Sequence, residues 1–96
     1  MAKVQVTVRH GIGKDEALKR LQAAEKELLG RFRLTGYNGS WNGSKGTFRG
    51  SAFGQSAEGV LEVFENRVEV AVNVPFLFQR TAETAIREQL QKILRS

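Results

Sequence analysis

The chain of 96 residues is long enough for one hydrophobic core and too short for two, so we predict a single domain over residues 1–96. Hydrophobic residues make up 41% and charged residues 26%, which excludes a disordered chain, and the lack of cysteine excludes disulfides, thiolate chemistry and a thiolate zinc site. The net charge of +5 allows an anionic partner, but Lys and Arg are spread over nearly every predicted element, which favours a general solubility charge.

The sequence contains no segment that we expect to target or cross a membrane. No window is apolar over the length of a transmembrane helix, and the first residues alternate apolar and polar side chains instead of forming a signal-peptide core. We therefore expect a cytoplasmic protein without a transmembrane segment.

The first two predicted elements are a strand and a helix. Val4, Val6 and Val8 alternate with polar residues over 3–9, which is the period of a half-buried strand. Apolar residues at helical spacing then predict a helix over 14–29, with Gly30 just past its end as a cap residue.

The middle of the chain is rich in glycine and is expected to form two further strands. A strand is predicted from residue 31 to Trp41 with a bulge at Gly36, because apolar and polar residues alternate at its start. An Asn-Gly dipeptide favours a turn over 42–46, followed by a strand over 47–53 and a second turn over 54–58.

The last third of the chain predicts a hairpin and a long helix. Valines alternate over 67–74, and a second apolar strand over 59–64 precedes it across a two-residue turn. Pro75 ends this strand and opens a helix over 75–96. Its apolar stripe is expected to cover the valine-rich face of the sheet, and consists of Phe78, Ala82, Ile86, Leu90 and Ile93.

These elements together predict an α+β fold with the order β-α-β-β-β-β-α. A five-stranded, mainly antiparallel sheet would pack against an N-terminal helix and a long C-terminal helix.

The sequence offers little that points to catalysis. It has one histidine and one aspartate, and its nine glutamates suggest no acid-base pair, so we expect no enzyme activity, no catalytic residues and no bound metal or cofactor.

One turn has the composition of a weak anion site. His10, Gly11, Gly13 and Lys14 lie between the first strand and the first helix, where backbone N–H groups can face an anion. A simple strand-to-helix turn explains the same glycines, and both interpretations stay open.

Two apolar groups exceed what one small core needs, and both are candidate contact sites. Phe76 and Leu77 precede Phe78 directly, so the three cannot all face the sheet, and Tyr37, Trp41 and Phe53 lie in the glycine-rich region. They are candidates for contact with an apolar surface, ligand or partner. Packing against the core and a homodimer interface are the alternatives.

A nucleic-acid function is the second hypothesis. Residues 45–53 place Lys45 and Arg49 near Phe48 and Phe53, and alternating basic and aromatic residues on a strand can stack bases. We do not expect it to be the main function, because the basic residues of the chain are dispersed and core packing also explains Phe48.

The sequence resembles the bacterial polyhydroxyalkanoic acid system family, whose genes lie near those of polyester granules. The resemblance is carried by residues 9–13, the apolar strands 59–63 and 68–70, the segment 74–77, and the helix containing Ile86 and Leu90. Residues 36–57 are longer and richer in glycine than the family pattern.

This resemblance implies a role in polyhydroxyalkanoate metabolism, with the granule surface or a granule protein as partner, and a reduced helix-grip-like layout. The family has no established activity, so the resemblance implies no catalytic residues.

Overall fold

The computed structural model describes residues 2–31, 35–52 and 54–95 of the chain. The strands are β1 (Ala2–Arg9), β2 (Thr35–Asn42), β3 (Lys45–Ala52), β4 (Gln55–Val63) and β5 (Arg67–Val74). The helices are α1 (Lys14–Arg31), a short 3₁₀ turn (Phe76–Phe78) and α2 (Gln79–Ile93). The predicted α+β fold and its element order are confirmed, as is the helix-grip-like placement of a C-terminal helix on an antiparallel sheet.

The five strands form one sheet in the order β1-β5-β4-β3-β2, and every neighbouring pair is antiparallel. β1 therefore pairs with the last strand rather than with its sequence neighbour, with Val4 opposite Val72 and Val8 opposite Val68. The register between β2 and β3 shifts between Thr35 and Asn38, and the φ angle of Gly36 is +61°. The bulge predicted at Gly36 is thus confirmed.

Several element boundaries differ from the sequence predictions. α1 continues through Gly30 to Arg31, so the predicted cap at Gly30 and the strand start at residue 31 are wrong. The turn before β3 takes only two residues, with Gly43 at φ +62°, and β4 already begins at Gln55. The β3–β4 ladder continues to Ala52 and Gln55 because its backbone hydrogen bonds outweigh the low strand propensity of this region.

The hydrophobic core lies on the inner face of the sheet, between the sheet and the two helices. Its fully buried centre is formed by Val6, Val63 and Val68, and α1 contributes Ala17 and Leu21. The outer face carries the alternate residues of each strand, which are mostly polar. This arrangement follows from the period-2 pattern, because successive side chains of a strand point to opposite faces.

α2 packs into the core through its C-terminal half only. Leu90 and Leu94 are each 3% exposed, and the helix lies mainly against β1. Ile86 is half-buried, and Phe78 and Ala82 border a cavity instead of joining the core cluster. The predicted apolar stripe is confirmed at Ile86, Leu90 and Ile93, whereas Phe78 and Ala82 face the same side of the sheet across the cavity.

A second contact fixes the same end of α2 to α1. The guanidinium Nη1 of Arg20 donates to the carbonyl oxygens of Ile93, at 3.2 Å, and Arg95, at 2.7 Å, while its Nε donates to Glu16 at 2.9 Å. The last carbonyls of a helix have no partner within the helix, so a cation here also suits the helix dipole. Arg20 thus holds the C-terminal end of α2 in place.

The one-sided packing of α2 predicts unequal effects of two substitutions along the helix. Leu90→Ala should lower the free energy of unfolding by about 2–4 kcal/mol, because it truncates a buried side chain. Thr84→Ala changes an exposed position on the same helix and should cost less than about 0.5 kcal/mol. Urea unfolding of both variants measures the difference, and equal losses would contradict this placement of α2.

Candidate functional site

A cavity of about 270 Å³ lies between the N-terminal half of α2 and the inner face of β3, β4 and β5. We call it the groove. Its boundary includes Trp41 and Phe48 on the sheet, Gly59 and Val72 at its floor, and Phe78 and Ala85 on the helix. These residues are almost entirely apolar, so the groove is suited to an apolar guest rather than to a charged one.

The groove exists because the inner face of β3 and β4 carries small side chains at this end of the sheet. The small residues Gly50, Ala57 and Gly59 occupy inner-face positions of β3 and β4, where the core end of the sheet has Leu61 and Val63. A Cβ atom on Gly59 would lie 2.7 Å from Cγ1 of Val72, which is closer than real contacts allow. Glycine is therefore required here by the side chain of the neighbouring strand.

An aromatic pair forms one wall of the groove. The rings of Trp41 and Phe48 meet edge to face, with centroids 5.6 Å apart and an angle of 79° between their planes. Both rings close over Gly46, where an added Cβ would lie 2.8 Å from Cζ of Phe48. The indole Nε1 of Trp41 donates to Glu25 of α1 at 3.0 Å. Trp41, a predicted contact residue, is thus a half-buried wall residue that ties β2 to α1.

The opposite wall is the N-terminal half of α2. Two alanines, Ala82 and Ala85, face the groove between the larger side chains of Phe78 and Ile86. Their short side chains leave open the space that a longer aliphatic residue would fill. These small residues were not predicted as a site from the sequence. The available signal was Ala82 within an otherwise bulky helical stripe, together with Gly59 at the start of the strand predicted over 59–64.

An exposed apolar turn lies at one end of the groove. Phe76 is 76% exposed and Leu77 is 89% exposed, whereas the adjacent Pro75 and Phe78 border the groove. We call Phe76 and Leu77 the apolar turn. The alternative that Phe76 packs against the core does not hold, because most of its surface is open.

The other two predicted contact residues are not placed by the structure. The backbone of Tyr37 is part of β2, but its side chain lies outside the described residues, as does Phe53. Their part in an apolar contact site remains a prediction.

The turn proposed as an anion site connects two loops. His10 uses its ring Nε2 to donate to the carbonyl oxygen of Phe64 at 3.1 Å, and its backbone N–H donates to the backbone carbonyl oxygen of Asn66 at 3.0 Å. Nδ1 of the same ring is buried without a hydrogen-bond partner among the described residues. Gly13 has φ +83°, and Oε1 of Glu65 lies 3.4 Å from the position of a Cβ on this residue. A carboxylate of the chain itself therefore lies beside Gly13, directly before the start of α1, which favours the turn interpretation.

The strand of the nucleic-acid hypothesis separates its basic and aromatic residues. Between Lys45 and Ala52, Lys45 and Arg49 occupy outer-face positions, while Phe48 lies on the inner face against Trp41. Arg49 also pairs with Glu58 across the strands, at 3.2 Å. Between residues 45 and 52, the outer face therefore has no aromatic ring beside these two cations. Base stacking would require such a ring.

The described residues form neither a metal-binding cluster nor a membrane-spanning helix. In the described ranges, no three His, Asp or Glu residues lie close enough together to hold a metal ion. Among the helices described, none combines the length and the apolar character needed to cross a bilayer.

Fold and site define a class: a small α+β protein whose C-terminal helix and antiparallel sheet enclose an apolar groove. The sequence profile of the family described as "Putative polyhydroxyalkanoic acid system protein" matches residues 4–96, and the chain belongs to this family. The predicted membership is confirmed. Comparison with curated proteins finds no significant match.

Two solved structures are similar to the chain at low identity. TTHA0849 from Thermus thermophilus is 12% identical, with 98% of this chain and 92% of that chain covered and a TM-score of 0.34. Ara h 8.0201 is 8% identical, with 95% and 98% covered and a TM-score of 0.34. At these scores, neither similarity bears on the function of this chain.

Because Val72 packs closely over Gly59 at the floor of the groove, we expect substitution of this glycine to destabilise the protein. Gly59→Ala should lower the free energy of unfolding by about 1–3 kcal/mol, because the new methyl group forces Val72 to move. Gly11→Ala is the matched control, since no atom lies within 4 Å of its added Cβ. Thermal unfolding of both variants measures the effect, and a neutral Gly59→Ala would show that Val72 does not press on the floor.

Proposed function

We propose that this protein is a non-catalytic accessory protein of polyhydroxyalkanoate metabolism that contacts an apolar surface through Phe76 and Leu77. The partner is the polyester granule surface or a protein bound to it, which places the protein in the cytoplasm. Family membership supports the metabolic context. The non-catalytic role rests on a sequence with one histidine, one aspartate and no cysteine.

The exposure of the apolar turn is the observation that carries this proposal. Phe76 and Leu77 are the only exposed large hydrophobic residues among the described part of the chain, and they are adjacent in sequence. Burying such a side chain against an apolar surface contributes about 1.5–3 kcal/mol. Two of them at one site, beside an apolar groove, give a contact region rather than two scattered surface residues.

A second copy of the chain is the competing occupant of the apolar turn. A homodimer through Phe76 and Leu77 would bury the same surface. It would give a stable dimer in solution and leave nothing exposed for a granule. The nucleic-acid alternative has less support, because Arg49 is paired with Glu58 and Phe48 lies on the other face of the sheet.

Co-sedimentation with isolated polyester granules, and separately with lipid vesicles, tests the proposal. Wild type should sediment with granules, and Leu77→Ser should weaken the affinity by about 10- to 150-fold, as expected for losing one buried leucine. Ala23→Ser, at an exposed position of α1, is the matched control and should behave as wild type.

Two results would contradict the surface-contact proposal. One is a wild type that does not sediment with granules. The other is a stable dimer that Leu77→Ser dissociates, which would assign the apolar turn to self-assembly. Circular dichroism should first establish that each variant is folded.

A further inference from the structure

We propose that the groove binds one free linear aliphatic chain of about ten carbons, with the tail toward α1 and a small polar head at the apolar turn. The inference rests on the proposed function only in taking this apolar region as the contact site. It adds a ligand of defined chemistry, and it can be tested without granules.

The lining of the groove argues for an uncharged guest. The charged residues at its border are Glu25, Arg49 and Glu58. Arg49 and Glu58 occupy outer-face positions and pair with each other at 3.2 Å, while Glu25 accepts the hydrogen bond from Trp41. A charged group inside the groove would therefore lose its hydration without gaining an opposite charge, which is strongly unfavourable.

The dimensions of the groove argue for a single chain rather than a ring system. Its helical wall runs from Phe78 to Leu90, which corresponds to about 18 Å at about 1.5 Å per residue. A volume of only about 270 Å³ along this length makes the groove elongated rather than compact, which suits a linear chain better than a ring system. A cavity of about 150 Å³ holds the six carbons of benzene, so the groove has room for about ten.

The two ends of the groove differ, and the difference sets the direction of the chain. At the α1 end, Leu21 and Leu90 are buried, so a polar head placed there would lose its hydration. At the other end, Pro75 and Phe78 lead to the exposed apolar turn. A chain that enters there places its tail near Trp41 and keeps its head in water.

Trp41 is the only tryptophan of the chain and lines the groove, so its fluorescence reports occupancy. The probes are two alcohols with ten carbons each, linear 1-decanol and cage-shaped 1-adamantanol. We expect 1-decanol to bind at least tenfold more tightly. Shorter linear alcohols should bind about fourfold more weakly per methylene removed, which is the increment for burying one CH₂ group. Equal or tighter binding of 1-adamantanol would overturn the single-chain geometry.

Bromine on the chain tests the direction, because it quenches tryptophan fluorescence at short range. With its bromine at the tail, 10-bromodecan-1-ol should quench Trp41 more strongly than 2-bromodecan-1-ol, with its bromine next to the head. Stronger quenching by the head-labelled alcohol would overturn the tail-first arrangement.

Substitutions on α2 locate the site independently. Ala82→Phe and Ala85→Phe place a ring inside the groove and should each reduce 1-decanol affinity at least tenfold. Thr84→Phe introduces the same ring at an exposed position and should leave affinity unchanged. If either groove variant fails to fold, the chain-length series on wild type still decides the question.

The two proposals fail in distinguishable ways. Granule association without 1-decanol binding would overturn the groove ligand and leave the surface contact intact. Binding of 1-decanol without granule association would overturn the surface contact alone. Retention of 1-decanol binding in Ala82→Phe and Ala85→Phe would place the alcohol elsewhere on the molecule and overturn this inference.

Discussion

The attachment of α2 at one end is the constraint on which the rest of the structure depends. Leu90 and Leu94 are buried in the core, and Arg20 hydrogen-bonds the last carbonyls of the helix, so the C-terminal half is fixed to both the sheet and α1. Toward Phe78, the inner face of β3 and β4 has the small residues Gly50, Ala57 and Gly59, and the helix borders a cavity. The same helix thus completes the core at one end and forms one wall of the groove at the other. The apolar turn lies directly before this end of the helix, and its two side chains are exposed.

Strong periodic patterns made the fold predictable from the sequence. Valines that alternate in β1 and β5 define a buried face regardless of which strands are neighbours. In the same way, the spacing of three to four residues between Ile86, Leu90 and Ile93 defines the buried face of α2. Pairing of β1 with β5 is not encoded in a local pattern, because it joins segments that lie far apart in the sequence. The boundaries near Gly30 and Gln55 were wrong because ladder and helix hydrogen bonds continued past residues of weak propensity.

The candidate site was predictable only where it consists of large residues. Phe76, Leu77 and Phe78 are consecutive and cannot all face the sheet, so at least one exposed apolar residue followed from geometry. The groove depends instead on missing volume at Gly59 and Ala85. Small residues also occur in turns and tight packing, so their role becomes clear only when the sheet register brings them opposite α2. Trp41 was easy to single out in the sequence, but the sequence did not show that a hydrogen bond to Glu25 and an edge-to-face contact with Phe48 hold its ring in the wall of the groove.

Amide hydrogen exchange along α2 of the free protein tests the central claim most directly, since both halves of the helix make the same backbone hydrogen bonds. If only the C-terminal half is anchored, the amides of residues 89–92 should exchange at least tenfold more slowly than those of residues 83–86. Both groups lie inside the helix, so fraying of the first turn does not produce this difference. Equal protection of the two groups would mean that α2 is held along its whole length, and it would contradict this account of the groove.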